Sequence, residues 1–116
     1  MNPICPYCDK PSVESTGKDV YPHRPDLAQM RFFSCFECDA YVSRHRNGKS
    51  LGSLANKPLR KLRSACHVIF DRRWKTKSER QLQYRKLAES MGIQIEQCHF
   101  GMFNEEQCSE ALEHLA

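Results

Sequence analysis

The chain has no apolar run that approaches the length of a transmembrane helix, and no charged segment followed by an apolar stretch opens it. These absences argue against a membrane-spanning protein and a secretory leader, so we expect no membrane partner and a cytoplasmic location. The cysteine count of seven is odd, which argues against a secreted disulfide framework that would pair its thiols. The sequence therefore predicts a protein of a reducing compartment.

Two parts of the chain each carry charges almost entirely of one sign. Residues 87–116 contain six Glu and no Lys or Arg, whereas residues 44–86 contain fourteen Lys or Arg and only two acidic residues. A segment this basic favours a polyanionic partner, DNA or RNA, and the alternative is a solvated helix surface beside the acidic tail. The candidates for phosphate contacts are Arg44, Arg46, Arg60, Lys61, Arg63, Arg72, Arg73, Lys75 and Lys77.

A catalytic constellation is also missing from the sequence. His67 and Asp71 are four residues apart on a predicted helix, but no nucleophile, phosphate-binding loop or catalytic metal accompanies them. We therefore do not expect an enzyme. A small metal-dependent nuclease that would use His67, Asp71 or His99 is the third hypothesis for function.

Two Cys-x-x-Cys pairs are the most specific pattern that the sequence does contain. The first consists of Cys5 and Cys8, the second of Cys35 and Cys38, and an aspartate follows each pair. The residue after such a zinc knuckle tends toward positive φ, a conformation that Asp tolerates. Four thiolates make a closed tetrahedral site with no open position for water. We therefore predict one structural Zn²⁺ ion bound by Cys5, Cys8, Cys35 and Cys38, with iron on the same ligands as an alternative.

Three further cysteines, Cys66, Cys98 and Cys108, lie outside the two pairs. Cys66 falls on the apolar stripe of one predicted helix and Cys108 on that of another, so we expect both to be packed as small hydrophobic residues. The alternative is a second metal site built from the three cysteines with His67 and His99.

Short predicted strands surround the two knuckles. A strand that ends near Thr16 is followed by a hairpin turn at Gly17-Lys18, and further strands are predicted over Met30–Phe33 and Ala40–His45. The sequence therefore predicts that residues 1–46 form a zinc ribbon of three to four short antiparallel strands.

Residues 47–116 are predicted to form a bundle of about three helices that packs with the ribbon into one compact α+β domain. This helical part is basic over residues 47–86 and acidic over residues 87–116. Its first helix is predicted to start near Asn56, with Pro58 in the first turn, where the missing N–H costs least.

Capping residues indicate the bounds of the two later helices. A capping box of Ser78 and Gln81 is predicted to open the second helix, and Gly92 is placed to end it in the left-handed conformation. Asn104 and Gln107 repeat the capping pattern for the last helix.

Several runs of sequence resemble one known family. They are Cys5-Pro-x-Cys8, Val20-Tyr-Pro-His-Arg-Pro-Asp-Leu27, Cys35-x-x-Cys38-x-Ala-Tyr-Val42, Leu51-Gly52-x-Leu54-Ala55-Asn56, Ala65-x-His67-x-x-Phe70-Asp71-x-x-Trp74, and Met91-Gly-Ile93 with Cys98-His-Phe-Gly-Met-Phe103. These runs cover nearly the whole chain and resemble a family of small zinc-finger-containing domains found in bacteriophages, prophages and bacterial mobile elements. The resemblance implies zinc binding through the four knuckle cysteines and a location in the cytoplasm of a bacterial host. It implies no particular activity.

Three functional hypotheses follow from these patterns. The preferred hypothesis is a non-enzymatic, zinc-stabilised accessory protein, encoded by a phage or mobile element, that contacts nucleic-acid phosphates through a basic helix. The alternative is an adaptor or inhibitor that docks on a host or phage protein, and the third is the nuclease named above.

Overall fold

The computed structural model describes residues 2–116 of the chain. Three short strands form one antiparallel sheet in the order β1-β2-β3, with β1 at Val13–Thr16, β2 at Arg31–Cys35 and β3 at Ala40–Ser43. The helices are α1 (Gly17–Val20), α2 (Lys57–Asp71), α3 (Lys77–Met91) and α4 (Glu105–Leu115), and 3₁₀ turns occur at Pro25–Leu27, Ile95–Gln97 and Phe100–Met102. The predicted class is confirmed, because a three-stranded ribbon is followed by three longer helices.

The chain divides into two compact units. The first ends at Lys57, and the second comprises Pro58–Ala116. We refer to them as the ribbon unit and the helical unit. In residues 2–116, no helix combines the length and the apolar character that crossing a bilayer requires.

One face of the sheet carries the apolar core of the ribbon unit. Phe33 lies opposite Val42, and Cys35 lies opposite Ala40, across the β2–β3 pairing. Because alternate residues of a strand share a face, these side chains cluster on one side of the sheet. Cys5 and Leu54 complete this buried cluster.

The opposite face holds three aromatic rings, those of Tyr21, Phe32 and Tyr41. The rings meet edge to face, with centroids 5.7–6.0 Å apart. The hydroxyl oxygens of Tyr21 and Tyr41 lie 2.7 Å apart in a hydrogen bond. This side of the sheet is therefore held by aromatic packing with its polar ends satisfied.

Leu54 and Ala55 extend the ribbon unit beyond residue 46, where the sequence analysis placed the end of the ribbon. The Ala55 N–H donates to the carbonyl of Tyr41 at 3.0 Å, and the Tyr41 N–H donates to the carbonyl of Ala55 at 3.1 Å. This stretch lies in the predicted helical part (residues 47–116), but it pairs with β3 and contributes Leu54 to the core.

The segment between β1 and β2 differs from the prediction of a hairpin turn at Gly17-Lys18. It forms the short helix α1, whose start is fixed by the Asp19 carboxylate accepting a hydrogen bond from the Thr16 N–H at 3.0 Å. Gly17 is required there because a Cβ atom would lie 1.6 Å from the carbonyl oxygen of Leu27. This close approach is a non-local contact that turn propensities do not register.

The helical unit is built around a cluster of aromatic rings. Phe70 on α2, together with Phe100 and Phe103 from the turn before α4, is almost completely buried. The Phe100 ring lies 5.3 Å from that of Phe70 and 5.6 Å from that of Phe103. Tyr84 on α3 packs against Phe70 at 4.3 Å.

The N-terminus of α3 lies two residues earlier than the predicted capping box at Ser78 and Gln81, so that prediction is wrong. Thr76 is the N-cap, and its hydroxyl accepts a hydrogen bond from the Glu79 N–H at 3.2 Å. The Glu79 carboxylate accepts a hydrogen bond from the Lys75 N–H at 2.9 Å. Two Ser/Thr residues compete at this boundary, and the local pattern does not choose between them.

The other predicted helix signals are confirmed. Gly92 ends α3 in the left-handed conformation, with φ of 68°. The Asn104 side chain accepts a hydrogen bond from the Gln107 N–H at 2.8 Å, and the Gln107 side chain accepts one from the Asn104 N–H at 3.0 Å. This reciprocal capping box starts α4 at Glu105.

Candidate metal centre

The four knuckle cysteines converge on one point in the ribbon unit. Their sulfur atoms all lie within 4.8 Å of one another, and the Sγ atoms of Cys8 and Cys35 are 3.7 Å apart. A tetrahedral zinc ion with Zn–S bonds of about 2.3 Å places its ligands about 3.8 Å from each other. The sulfur spacing therefore fits a zinc ion bound by Cys5, Cys8, Cys35 and Cys38.

The first knuckle is a tight turn that aims Cys5 and Cys8 at this point. The Asp9 N–H donates to the carbonyl of Cys5 at 2.9 Å, and the Cys5 N–H donates to the carbonyl of Lys10 at 2.8 Å. Asp9 has φ of 61°, in the left-handed region, as expected for the residue that follows a knuckle.

The second knuckle is built into the sheet. Cys35 ends β2, Ala40 begins β3, and the turn between them closes with the Asp39 N–H donating to the carbonyl of Phe36 at 3.4 Å. Asp39 has φ of 51°, so both predicted positive-φ positions are confirmed. Because the flanking strands are paired, the geometry of this knuckle is tied to the fold of the whole ribbon.

The four knuckle thiols need a nearby cation if all of them are to be ionised. The backbone N–H of Cys38 donates to the Cys35 sulfur and lowers the pKa of that thiol. Desolvation, together with the three neighbouring thiols, raises the pKa of Cys38 to about 12. Four sulfurs this close cannot all ionise without a compensating positive charge. A bound Zn²⁺ ion supplies that charge and holds the ligands as thiolates.

The ligand set indicates the role of the metal. Four soft sulfur ligands fill a tetrahedral coordination shell, which leaves no position for water or substrate. Cys5 is fully buried, and Cys8 and Cys38 pack against the apolar core of the sheet. The site is therefore one for a single structural zinc ion that joins the two knuckles.

The remaining cysteines do not form a second metal site. In the part of the chain that the structure describes, the knuckle cluster is the one group of three or more Cys, His, Asp or Glu ligands that converge. Cys66, Cys98 and Cys108 are buried in the helical unit, and the Cys66 thiol donates to the carbonyl of Cys108 at 3.5 Å. The side chains of these three residues pack in the core of the helical unit.

His67 and Asp71, which the nuclease hypothesis named beside His99, have structural partners. The His67 ring packs edge to face on Phe100 at 4.9 Å, and desolvation lowers the pKa of the imidazole. The Asp71 carboxylate accepts a hydrogen bond from the Trp74 indole N–H at 3.1 Å. These contacts position both side chains within the helical unit.

The structure distributes the nine predicted phosphate-contact residues over both units. Arg44 and Arg46 belong to the ribbon unit, and the other seven belong to the helical unit. The exposed members are Arg46, Lys61, Arg72, Arg73, Lys75 and Lys77, while Arg44 and Arg60 are half-buried.

Arg63 is the exception, because its side chain is buried. Its guanidinium donates to the carbonyl oxygen of Phe103, from Nε at 3.0 Å and from Nη2 at 2.8 Å. Two such bonds engage the planar edge that would otherwise face a phosphate. Arg63 is therefore not among the phosphate contacts that we propose.

Arg80 is a basic residue that the sequence analysis did not select. Its guanidinium lies over the Trp74 ring at 5.6 Å and over the Tyr84 ring at 5.2 Å. The spacing of four residues between Arg80 and Tyr84 on α3 is a signal that could have found the second contact.

Comparison with known proteins gives one match. A family model described as a zinc-finger-containing domain matches residues 1–116. No curated protein and no solved structure matches the chain.

Proposed function

The chain belongs to a family of zinc-finger-containing domains, and on this premise we propose that it is a zinc-stabilised, non-enzymatic accessory protein that binds nucleic acid. The setting that we propose is the cytoplasm of a bacterial host, with the gene carried by a phage or mobile element. Zinc maintains the ribbon unit, and exposed cations of the helical unit contact phosphates.

The observation that carries the proposal is the segment of residues 72–77, which we call the basic segment. It comprises the connection between α2 and α3 and the first residue of α3. Four of its six residues are Lys or Arg, namely Arg72, Arg73, Lys75 and Lys77. All four are exposed, and the segment contains no carboxylate. Cations that are clustered and solvent-exposed attract a phosphate backbone with little desolvation cost.

The basic segment is ordered by its neighbours. Asp71 anchors the Trp74 indole at one end, and the Glu79 carboxylate accepts the Lys75 N–H at the other. Arg80 stacks over the Trp74 ring. An aromatic ring and a guanidinium plane beside several cations are the components of surfaces that bind single strands, because bases stack on the planes while phosphates meet the charges.

The individual cations differ in how available they are. Arg73 donates a hydrogen bond from Nη2 to the carbonyl of Leu115, so part of its guanidinium serves the fold. Lys61 is exposed on α2, and Arg72 is exposed directly after the end of that helix. We therefore propose Lys61, Arg72, Lys75 and Lys77 as the principal phosphate contacts of the helical unit, with Arg60 at their margin.

Binding can be measured with a probe that the chain already contains. Trp74 is the single tryptophan, so its fluorescence reports on the basic segment. We expect a labelled single-stranded 20-mer to quench Trp74 and to bind with an affinity that falls steeply with salt. The double substitution Lys75→Gln/Lys77→Gln removes two contacts and should lower the salt slope by about 1.4.

The matched control for that variant is Arg85→Gln/Lys86→Gln, which removes two exposed cations of α3 outside the basic segment. It should retain the slope of the unmodified protein. If the two double variants bind with the same affinity and slope, the basic segment is not the contact surface.

One observation favours the alternative of a protein-docking adaptor. Large apolar side chains of the helical unit are exposed, among them Leu82 at 44%, Ile95 at 42% and Met102 at 57%. Such residues on a small protein are consistent with a partner surface. A stoichiometric complex with a host protein that persists after nuclease treatment, and that Met102→Glu disrupts, would favour this function over direct nucleic-acid binding.

A further inference from the structure

We infer that the ribbon unit carries a second nucleic-acid site, a basic cleft that binds the phosphodiester backbone of a single strand. This inference rests on the proposed function and extends it to the other unit of the chain. The cleft is open to solvent, has a volume of about 980 Å³ and is lined by four cations, Lys18, Arg31, Arg44 and Arg46. Lys18 was not predicted as a contact from the sequence.

The cations of the cleft outnumber its acidic groups. Asp26 is the single carboxylate among the lining residues, and Arg24 pairs with it at 2.7 Å and lowers the pKa of that carboxyl. Arg44 pairs with Glu14 at 2.8 Å, which fixes its side chain. Lys18, Arg31 and Arg46 are exposed, so three cations remain to face an anionic ligand.

The backbone that carries these cations is held rigidly. Arg31 begins β2, where it pairs with Thr16 of β1, and its carbonyl accepts a hydrogen bond from the Arg44 N–H at 3.0 Å. Lys18 lies in α1, two residues after the end of β1. Lys18 in α1, Arg31 in β2 and Arg44 directly after β3 therefore place positive charges on one concave surface. Binding a polyanion does not require the chain to rearrange.

The lining also identifies the kind of nucleic acid. Met30 and Leu51 are among the lining residues and are 43% and 40% exposed. A duplex keeps its base faces stacked inside, so apart from thymine methyl groups at the groove edge it offers little to these apolar side chains. A single strand presents both phosphates and unstacked bases, which match the cations and the apolar patches.

The site can be tested with the full zinc-loaded chain and a single-stranded ten-nucleotide oligothymidine. We expect the backbone amide signals of Met30, Arg31, Ser43 and Arg44 to shift saturably in ¹H–¹⁵N spectra as the oligonucleotide is added. In the variant Arg31→Gln/Arg46→Gln these shifts should be lost, and the salt slope of binding should fall by about 1.4.

The control variant is Lys10→Gln/Lys49→Gln, which removes two exposed cations of the ribbon unit outside the cleft lining. It should behave as the unmodified protein. Zinc content and thermal unfolding would establish that both variants are folded, and the titration of the unmodified chain tests the site even if a variant fails to fold.

The outcomes separate this site from the proposed function. Shifts confined to residues 72–77 would overturn the cleft and leave the helical surface in place. Shifts confined to the cleft would support the cleft as a binding site and would contradict the basic segment as the contact surface of the proposed function. If no amide signal shifts, both assignments are wrong.

Discussion

The guanidinium of Arg63 donates two hydrogen bonds, of 3.0 and 2.8 Å, to the carbonyl oxygen of Phe103. Arg63 lies in the middle of α2, and Phe103 directly precedes the N-cap of α4. The bond pair therefore joins the first helix of the helical unit to the start of its last helix. A cation in the most basic part of the chain is thus a structural element.

Replacing Arg63 with Met should destabilise the helical unit without removing a phosphate contact. The substitution leaves the Phe103 carbonyl unsatisfied and removes two charge-assisted hydrogen bonds, so we expect the free energy of unfolding to fall by about 2–3 kcal/mol. Urea unfolding followed by Trp74 fluorescence would measure the change.

Arg72→Gln is the matched control for that experiment, because Arg72 is an exposed arginine directly after the end of the same helix. It should leave stability within about 0.5 kcal/mol of the unmodified protein and weaken nucleic-acid binding. If Arg63→Met is as stable as Arg72→Gln, the bond pair does not hold the two elements together.

The burial of Arg63 shows where prediction from sequence is weakest. The buried positions of α2 are 59, 63, 66 and 70, which follow the three- and four-residue spacing of a helix face. Position 63 therefore belongs to the buried face of the helix. An arginine there is assigned to solvent because buried guanidinium groups are rare, and its acceptor is forty residues away in sequence.

The knuckles were predictable for the opposite reason. Each depends on four consecutive residues and on an aspartate that tolerates positive φ, so the geometry is encoded locally. The capping box at Asn104 is local in the same way. Leu54 packs into the sheet through a contact that no local pattern encodes, so the sequence predicts it within the helical part instead.

Replacing Cys38 with Ser should abolish stoichiometric zinc binding and unfold the ribbon unit. A structural zinc site contributes on the order of 10 kcal/mol to folding, and a small sheet with a six-residue core cannot compensate for its loss. We expect less than one zinc per chain by elemental analysis and collapse of the dispersed amide signals of β1–β3.

Cys66→Ala is the control for the zinc experiment. Cys66 is buried in the helical unit and outside the ligand cluster, so this variant should retain one zinc ion per chain. Zinc loss in Cys66→Ala equal to that in Cys38→Ser would contradict the assignment of the four ligands.

Replacing Gly17 with Ala should destabilise the ribbon unit through a steric clash. The added Cβ would lie 1.6 Å from the Leu27 carbonyl oxygen, and backbone atoms cannot retreat as a flexible side chain can. We expect a loss of about 3 kcal/mol or more and a lower melting temperature.

Gly92→Ala provides the comparison for Gly17. No atom lies within 4 Å of a Cβ built at Gly92, but its φ is 68°, so strain alone should cost about 1 kcal/mol. Equal losses for the two variants would mean that the approach of Leu27 to Gly17 is relieved by a small shift of the loop.

Stability of the helical unit should fall as the pH rises above about 9. Burial raises the pKa of Cys66 to about 12, and it also raises the pKa of Cys98 and of Cys108. In the unfolded chain these thiols ionise near pH 8.5, so from there upward the unfolded state binds fewer protons than the folded state. The contribution is therefore complete below that pH and is lost progressively above it.

Urea unfolding between pH 7 and 10.5, followed by Trp74 fluorescence, would measure this effect. Each thiol contributes up to about 1.4 kcal/mol per pH unit above its unfolded pKa, so Cys66→Ala should lose stability less steeply than the unmodified protein. The contribution of Tyr84, whose pKa is also raised by burial, is common to both proteins and cancels in the comparison. Parallel stability curves would mean that Cys66 is deprotonated as easily in the folded chain as in the unfolded one.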